Sequence, residues 1–382
     1  MFSRAEERRE LSRLIEQGRS VLLLGPRRVG KTWLRAQVAA DLRGKGWTTV
    51  LCDVEGMSEE VQFLRHLCQT IEKGDGVRGK LEGRIRQWLN QLFSKDKDVG
   101  WQQALLQIDW VSFLQTLVEG MDQRGHKTLI LVDELSLFIA ARASGTQDGA
   151  KGFLYQMRAL DAQHKNVRWL FSGSIGLDII ARSQGIDGAL VELHRFMLQP
   201  FDRLAARAFL DHLSNNGEVP RPFSLDAAAF KHLIAELGWL SPYDLENLAR
   251  EVRPGGRPGG TGHPLASIRD IDTAFMALLS PERRYCFATW EEYLKKNFNS
   301  EDKAALHAIL DACARKAEGE RFDTLLAVLS RPPHGLTLRR VRDLLTTLEP
   351  AGFLSESGEG DERNYRFRSG LLRRYWLHRD GE

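Results

Sequence analysis

The sequence of residues 20–33 is Ser20-Val-Leu-Leu-Leu-Gly-Pro-Arg-Arg-Val-Gly-Lys-Thr-Trp33, and this stretch decides the fold. Residues 25–32 match the pattern Gly-x-x-x-x-Gly-Lys-Ser/Thr at every fixed position. The apolar run before the first glycine is short and continuous, which is typical of a strand buried on both faces. The residues from Trp33 onward have a helical pattern. A buried strand, a glycine loop and a helix in this order predict a phosphate-binding loop, or P-loop.

The fixed positions of this loop each have a chemical reason. Glycines allow backbone N–H groups to turn toward a phosphate without a Cβ in the way. Lys31 places an ammonium between the β- and γ-phosphates, and the Thr32 hydroxyl is a hard oxygen ligand for Mg²⁺. The loop also opens a helix, whose N-terminal end favours an anion. We therefore expect binding of ATP, or another nucleoside triphosphate, with Mg²⁺. The predicted nucleotide-binding residues of the loop are Gly25, Pro26, Arg27, Arg28, Val29, Gly30, Lys31 and Thr32.

Two adjacent carboxylates follow another apolar run. Residues 129–132 are Leu-Ile-Leu-Val, and Asp133 and Glu134 come directly after them. A strand that ends beside the P-loop would bring Asp133 to the magnesium shell, usually through water. Glu134 could then orient and deprotonate the attacking water. We predict Thr32 and Asp133 as metal-binding residues and Glu134 and Lys31 as catalytic ones; a solvated acidic turn after a strand is the alternative.

Small polar residues end the strand predicted at residues 167–171. A hydroxyl of Ser172 or Ser174 could sense the γ-phosphate or the attacking water, and the sequence does not choose between them. A simple strand-to-helix turn made of small residues is the alternative. No single arginine stands out as the positive charge for the γ-phosphate. The candidates are Arg27, Arg28, Arg142, Arg158 and Arg182.

Bulk properties limit the class of protein. The 382 residues suffice for two or three domains, and the net charge of +3 does not by itself indicate a nucleic-acid binder. The four cysteines are far apart and form no Cys-x-x-Cys pair, which argues against a disulfide framework or a zinc site. A charged N-terminus and short apolar runs predict a cytoplasmic protein with no membrane partner.

The alternation of strands and helices predicts the architecture. Strands expected at residues 20–24, 48–52, 128–132 and 167–171 alternate with helices, which indicates a parallel sheet with helices on both sides. We assign this α/β P-loop ATPase domain to residues 1–200. A helical lid and a Gly/Pro-rich linker are expected at 201–264, and a helical and winged-helix domain at 265–382.

With these motifs the chain resembles the archaeal-type ATPases, a family of the STAND and AAA+ group of P-loop proteins that also occurs in bacteria. The likeness covers residues 1 to about 250, and its most telling pieces are the Pro-Arg-Arg insert of the P-loop and the Ser-Gly-Ser strand end. The resemblance implies a five-stranded core, a helical lid and commonly a winged-helix domain behind it. The stretches that carry it are Arg4-Ala-Glu-Glu, residues 23–32, Val132-Asp-Glu134, Phe171-Ser-Gly-Ser174 and Leu198-Gln-Pro200.

The resemblance also offers a candidate contact for adenine. Family members often use a Gly-x-Pro motif in the lid for this purpose. The matching stretch here is Gly238-Trp-Leu-Ser-Pro242, in which the gap is longer than usual. Pro242 is therefore a candidate adenine contact, and a helix-starting proline after Ser241 is the alternative.

The C-terminal residues predict a winged helix with an open choice of partner. Helices are expected at 304–315, 323–329 and 337–347, and strands at 352–355 and 364–368 flank a wing. The third helix would enter a DNA major groove and expose Arg339, Arg340 and Arg342. Residues 321–382 contain 11 arginines, no lysine and 9 acidic residues, a net charge of only +2. Double-stranded DNA and a protein partner both remain open.

Two functions are consistent with these features. One is a Mg²⁺-dependent AAA+/STAND ATPase that couples ATP hydrolysis to conformational switching on DNA. The other is a nucleotide-gated signalling or defence switch that recruits a protein partner through the winged helix and forms a nucleotide-dependent homo-oligomer. A kinase or transferase is disfavoured, because no second-substrate pocket is recognisable and the Asp-Glu pair favours water activation.

Overall fold

The computed structural model describes residues 4–73, 82–93, 100–107, 109–145, 147–173, 177, 180–181, 185–257, 262–349 and 351–379. These residues group into two compact units. The first, here the sheet unit, comprises residues 4–25 and 31–198. The second, here the helical unit, comprises residues 26–30 and 199–379, so that the middle of the P-loop belongs to it.

A five-stranded parallel sheet forms the centre of the sheet unit. Its strand order is β2-β3-β4-β1-β5, and all neighbouring pairs are parallel. Strands β1, β3 and β4 are buried along their whole length, which explains the apolar runs at residues 21–24, 129–132 and 169–171 within them. The strands are β1 (Val21–Leu24), β2 (Thr48–Asp53), β3 (Thr128–Asp133), β4 (Val167–Ser172) and β5 (His194–Met197).

Helices flank this sheet, and the predicted fold class is confirmed. One of them, α6, begins where the Asp109 side chain accepts hydrogen bonds from the amides of Val111 and Ser112. The sequence of residues 58–122 also predicts a mostly helical stretch with polar breaks at 73–80 and 94–100, and these breaks fall mostly outside the described residues. The helices are α1 (Ala5–Glu16), α2 (Lys31–Gly44), α3 (Glu60–Lys73), α4 (Glu82–Phe93), α5 (Trp101–Gln107), α6 (Trp110–Gln123), α7 (Leu135–Gly145) and α8 (Gln147–Gln163).

The fifth strand was not assigned to particular residues from the sequence. Strand β5 pairs with β1 alone and therefore lies at an edge of the sheet. Its residues alternate between partly buried and exposed, so its sequence His-Arg-Phe-Met has no apolar run. An edge position thus explains why hydrophobic patterning did not reveal it.

The helical unit begins with four helices and a two-stranded sheet. The helices are α9 (Arg203–Asn215), α10 (Ala227–Leu237), α11 (Pro242–Glu251) and α12 (Ile268–Leu278). Between them the strands β6 (Ser224–Leu225) and β7 (Leu265–Ala266) pair in parallel. The sequence predicted only helices over 202–252, because a two-residue strand leaves no periodic signal.

The remainder of the helical unit combines helices with a three-stranded sheet. Strands β8 (Glu320–Arg321), β9 (Leu354–Ser357) and β10 (Asn364–Phe367) form an antiparallel sheet of order β8-β10-β9. The helices are α13 (Ala288–Asn297), α14 (Ser300–Arg315), α15 (Phe322–Leu329), α16 (Leu338–Leu348) and α17 (Gly370–His378). No helix of the described residues combines the length and the apolar character needed to cross a bilayer.

Candidate functional site

Strand order brings the predicted motifs together at the carboxyl ends of the strands. Strand β4 lies between β1, which precedes the P-loop, and β3, which ends in Asp133. Because all these strands are parallel, their carboxyl ends face the same side, and ligands of open α/β sheets bind there. Gly25, Asp133 and Ser172 therefore all lie at the carboxyl ends of neighbouring strands.

The P-loop adopts left-handed backbone conformations and holds its lysine. Arg28 has φ +68° and Gly30 has φ +97°. Lys31 opens α2 and is 8% exposed, and its Nζ donates a hydrogen bond to the Gly25 carbonyl at 2.6 Å. The Lys31 ammonium thus contacts the P-loop itself, whose backbone amides are predicted to bind phosphate.

Asp133 is the residue on which the predicted side chains converge. Its Oδ2 accepts a hydrogen bond from Thr32 Oγ1 at 3.2 Å, and its Oδ1 accepts one from Ser172 Oγ at 2.6 Å. Both Asp133 and Ser172 are buried. Hydroxyl and carboxylate oxygens are the ligands that Mg²⁺ prefers, so the donor set around Asp133 fits this ion.

The sequence analysis missed a further partner of Asp133. Arg35 Nη2 lies 2.8 Å from Asp133 Oδ2, and each side chain is 7% exposed. Arg35 Nε and Nη1 are also buried and have no hydrogen-bond partner among the residues that the structure describes. Arg35 follows Lys31 by four residues on α2 and so lies on the same face of the helix, which is the signal that could have found it.

The other arginine candidates of the sheet unit are engaged elsewhere. Arg142 pairs with Glu60 at 2.8 Å, and Arg158 pairs with Glu192 at 2.5 Å. Arg182 lies outside the described residues. Arg35, which was not among the candidates, is thus the arginine that pairs with a predicted site residue in the described part of the sheet unit.

Glu134 has an unusual backbone conformation. Its φ is +56°, and among the described residues only Arg28 shares a positive φ without being glycine. Such a conformation costs about 1–3 kcal/mol in a residue that has a Cβ, and it tends to persist at functional sites. Both outliers are residues that the sequence assigned to the site.

Tight packing explains the glycine in the Ser-Gly-Ser strand end. A Cβ at Gly173 would collide with Ser136 Oγ, which is buried and, within the described part of the chain, has no hydrogen-bond partner. Ser136 lies in the first turn of α7, directly after Glu134 and Leu135. Ser172 contacts Asp133 as described, whereas Ser174 lies outside the described residues.

Pro242 is the first residue of α11 in the helical unit. Ser241 caps this helix by accepting a hydrogen bond from the Asp244 amide at 3.0 Å. Proline suits the first position of a helix because its missing N–H needs no partner there. A Cβ at Gly30 would lie 3.9 Å from Pro242 Cγ, so the proline also lies next to the P-loop.

Burial changes the pKa values of two charged groups in the helical unit. Burial lowers the pKa of Arg28, although the nearby Tyr243 and Asp244 oppose this effect. Burial also raises the pKa of Asp244 to about 6, against the attraction of Arg28 and hydrogen bonds from Ser369 and Ser241. The partly buried Arg28 of the P-loop and the buried Asp244 carboxyl group therefore influence each other electrostatically.

The three arginines predicted to contact DNA lie on α16 and are all exposed. Arg340 forms an ion pair with Asp302 at the start of α14. The Arg342 guanidinium lies 5.4 Å from the centre of the Phe322 ring. The structure thus places Arg339, Arg340 and Arg342 on one helix, and two of them also contact neighbouring elements.

Comparisons with known proteins identify the fold. No family model matches the sequence, and no curated protein matches it. The structure is similar to a Walker-type ATPase of Pyrococcus abyssi, with 15% identity, a TM-score of 0.66, and coverage of 99% of this chain and 96% of that chain. It is more distantly similar to the ORC2 protein of Aeropyrum pernix in its ADPNP and ADP complexes, with 12% identity, a TM-score of 0.46, and coverage of 100% and 96%. The first likeness shows the fold: the chain has the P-loop NTPase fold.

Proposed function

We propose that this chain is an AAA+/STAND-type ATPase that binds ATP and hydrolyses it with Mg²⁺. The observation that carries the proposal is that Thr32 and Ser172 donate hydrogen bonds to the two carboxylate oxygens of Asp133. Thr32 directly follows Lys31 of the P-loop. These side chains come from α2, β3 and β4, and no local pattern brings them together. The fold shared with a Walker-type ATPase supports the same interpretation.

Each of these residues has a role in this function. The backbone N–H groups of residues 27–31 bind the phosphates, whereas Pro26 has no N–H to donate. Lys31 exchanges the Gly25 carbonyl for phosphate oxygens. Thr32 and Asp133 would hold the Mg²⁺, and a bound Mg²⁺ would supply positive charge against the phosphates. Ser172 fixes the orientation of Asp133, and Glu134 accepts a proton from the attacking water.

Calorimetry with ATP and with ADP in magnesium buffer tests this proposal. The wild-type chain should bind both nucleotides, and Lys31→Ala should weaken binding at least about a hundredfold, because a charge-assisted contact to phosphate is lost. Lys45→Ala is the matched control, since Lys45 pairs with Glu16 on the surface at 2.9 Å. Absence of heat from the wild-type chain with either nucleotide would reject the function.

We further propose that residues 300–379 are a winged helix that binds double-stranded DNA. The order α14-β8-α15-α16-β9-β10 supports this assignment, and α16 carries three exposed arginines. The logarithm of the association constant for duplex DNA should fall by about 0.9 per phosphate neutralised for each tenfold increase in salt concentration. Absence of duplex binding at low salt, both with and without ATP, would contradict it.

The second candidate function is a nucleotide-gated switch that recruits a protein. The contacts of Arg340 with Asp302 and of Arg342 with Phe322 favour it, because both arginines already have partners within the chain. Light scattering with ADP and with a non-hydrolysable ATP analogue should then give different oligomeric states. Identical states, together with unchanged partner binding, would exclude a switch of this kind.

A further inference from the structure

The helical unit contains a binding pocket for the side chain of Arg28. The guanidinium lies over the Tyr243 ring, 3.8 Å from its centre, and over the Trp290 ring, 4.2 Å from its centre. Cations over aromatic faces are attracted by the ring quadrupole, most strongly when they are desolvated. Both rings belong to the same compact unit as Arg28.

Hydrogen bonds complete this pocket. Arg28 Nη1 donates to the Cys286 carbonyl, and Nη2 donates to Thr289 Oγ1 at 2.5 Å. The Tyr243 hydroxyl donates to the same Cys286 carbonyl at 3.4 Å. Both terminal nitrogens of Arg28 are thus engaged, so the guanidinium is held by its faces and by its edge. We call Tyr243, Cys286, Thr289 and Trp290 the arginine clamp.

Neighbouring loop residues contact the same part of the helical unit. Arg27 Nη1 donates to the Thr289 carbonyl at 3.4 Å, and its guanidinium lies 5.4 Å from the centre of the Tyr293 ring. A Cβ at Gly352, whose φ is +87°, would lie 3.8 Å from Pro26 Cβ. The middle of the P-loop is therefore fixed from outside at several consecutive residues.

The backbone of Arg28 shows why such fixation matters. A φ of +68° is unfavourable for arginine, whereas glycine adopts it freely. An arginine at this position therefore needs compensating contacts, and the arginine clamp supplies them.

We propose that Arg28 is a positioning residue, and that the arginine clamp holds residues 26–30 in the conformation that binds phosphate. This inference rests on the proposed nucleotide binding. Residues 243 and 286–290, which lie outside the P-loop, then set the nucleotide affinity. Because such coupling is reciprocal, bound nucleotide strengthens the clamp in turn.

Calorimetric titration of clamp variants with ADP tests the proposal. Arg28→Ala and Trp290→Ala should each weaken ADP binding about tenfold, the range expected for a buried cation–π contact. The double variant should be no weaker than either single one, because both changes remove the same contact. Trp290→Phe and Thr289→Val keep most of the pocket and should each weaken binding about threefold.

Further variants separate the clamp from backbone strain and from general destabilisation. Arg28→Gly relieves the unfavourable φ but removes the guanidinium, so it should bind ADP as weakly as Arg28→Ala. Arg207→Ala is the matched control, because Arg207 also lies over an aromatic ring, Phe230 at 5.2 Å, and donates to the Leu225 carbonyl at 2.7 Å. This control should bind ADP like the wild type.

A spectroscopic readout follows Trp290 directly. Addition of ADP should change tryptophan emission in the wild type, and Trp290→Phe or Arg28→Ala should reduce that change. Wild-type affinity in Arg28→Gly, or additive losses in the double variant, would overturn the clamp. Wild-type affinity in both Arg28→Ala and Trp290→Ala would also overturn it. Absence of binding by the wild type would instead overturn the proposed function, and the clamp with it.

Discussion

The strand tips of the sheet unit and helix α16 of the helical unit use charge in opposite ways. At the strand tips, Asp133 is 5% exposed, and side chains from two other elements, α2 and β4, contact it. On α16 the arginines are exposed, and the Arg340 side chain, paired with Asp302, is 45% exposed. Buried charge requires specific partners, whereas exposed charge is screened by water.

This difference explains why the two regions support inference unequally. At the strand tips a fixed spacing of residue types implied a geometry, and the structure shows side chains in contact there. On α16 the inference rested on arginine content within a helix. Exposed arginines can bind DNA, bind a protein or form ion pairs within their own domain. The number of arginines on α16 therefore does not identify a partner.

Glu134→Gln should have the largest effect on function. A carboxylate that accepts a proton contributes about 10²–10⁴-fold to the rate, so steady-state ATP hydrolysis should fall by that factor. Binding of ATP should persist, in contrast to Lys31→Ala. A Glu134→Gln protein that hydrolyses ATP at the normal rate would remove Glu134 from its role.

Arg35→Met should destabilise the strand-tip region strongly. The change leaves the Asp133 carboxylate buried without its cation, which costs about 3–5 kcal/mol in comparable pairs. Urea unfolding measures this loss. The double variant Arg35→Met with Asp133→Asn should recover part of it, because no unpaired charge remains. Equal stability of Arg35→Met and wild type would show that the pair carries little energy.

Asp244→Asn tests a buried carboxyl group in the helical unit. Because burial raises the pKa of Asp244 to about 6 in the folded state, its protonated form stabilises the fold below about pH 4. That contribution is lost as the pH rises through about 6. Relative to the Asn variant, the wild type should lose about 2 kcal/mol of unfolding free energy between pH 4 and pH 7. Parallel pH profiles of the two proteins would contradict this.

Arg340→Ala should have the smallest effect. The Arg340 side chain is 45% exposed, whereas that of Asp302 is only 10% exposed, so the free energy of unfolding should fall by about 1 kcal/mol, the upper end for partly exposed pairs. If α16 binds DNA, Arg339→Ala and Arg340→Ala should each reduce the slope of log affinity against log salt concentration by about 0.9, the value for one phosphate contact. A large loss of stability in Arg340→Ala would remove the contrast between the two regions.

The sequence by itself determined the P-loop, the strands before Gly25, Asp133 and Ser172, and the parallel arrangement of the sheet. It could do so because buried parallel strands are continuously apolar and because phosphate binding requires fixed residue types at fixed spacing. Helix periodicity likewise gave α14, α15 and α16 to within a few residues.

Only the tertiary structure decided which charges meet. The pairing of Arg35 with Asp133 and the enclosure of Arg28 by Tyr243 and Trp290 join residues that are far apart in the chain. Strand β5 could not be predicted for a related reason. An edge strand is formed by hydrogen bonds to its neighbour, here β1, and does not require an apolar run. Contacts of this kind depend on how whole elements pack. Helical periodicity places Arg35 on the same face as Lys31, but it does not predict that Asp133 lies opposite that face.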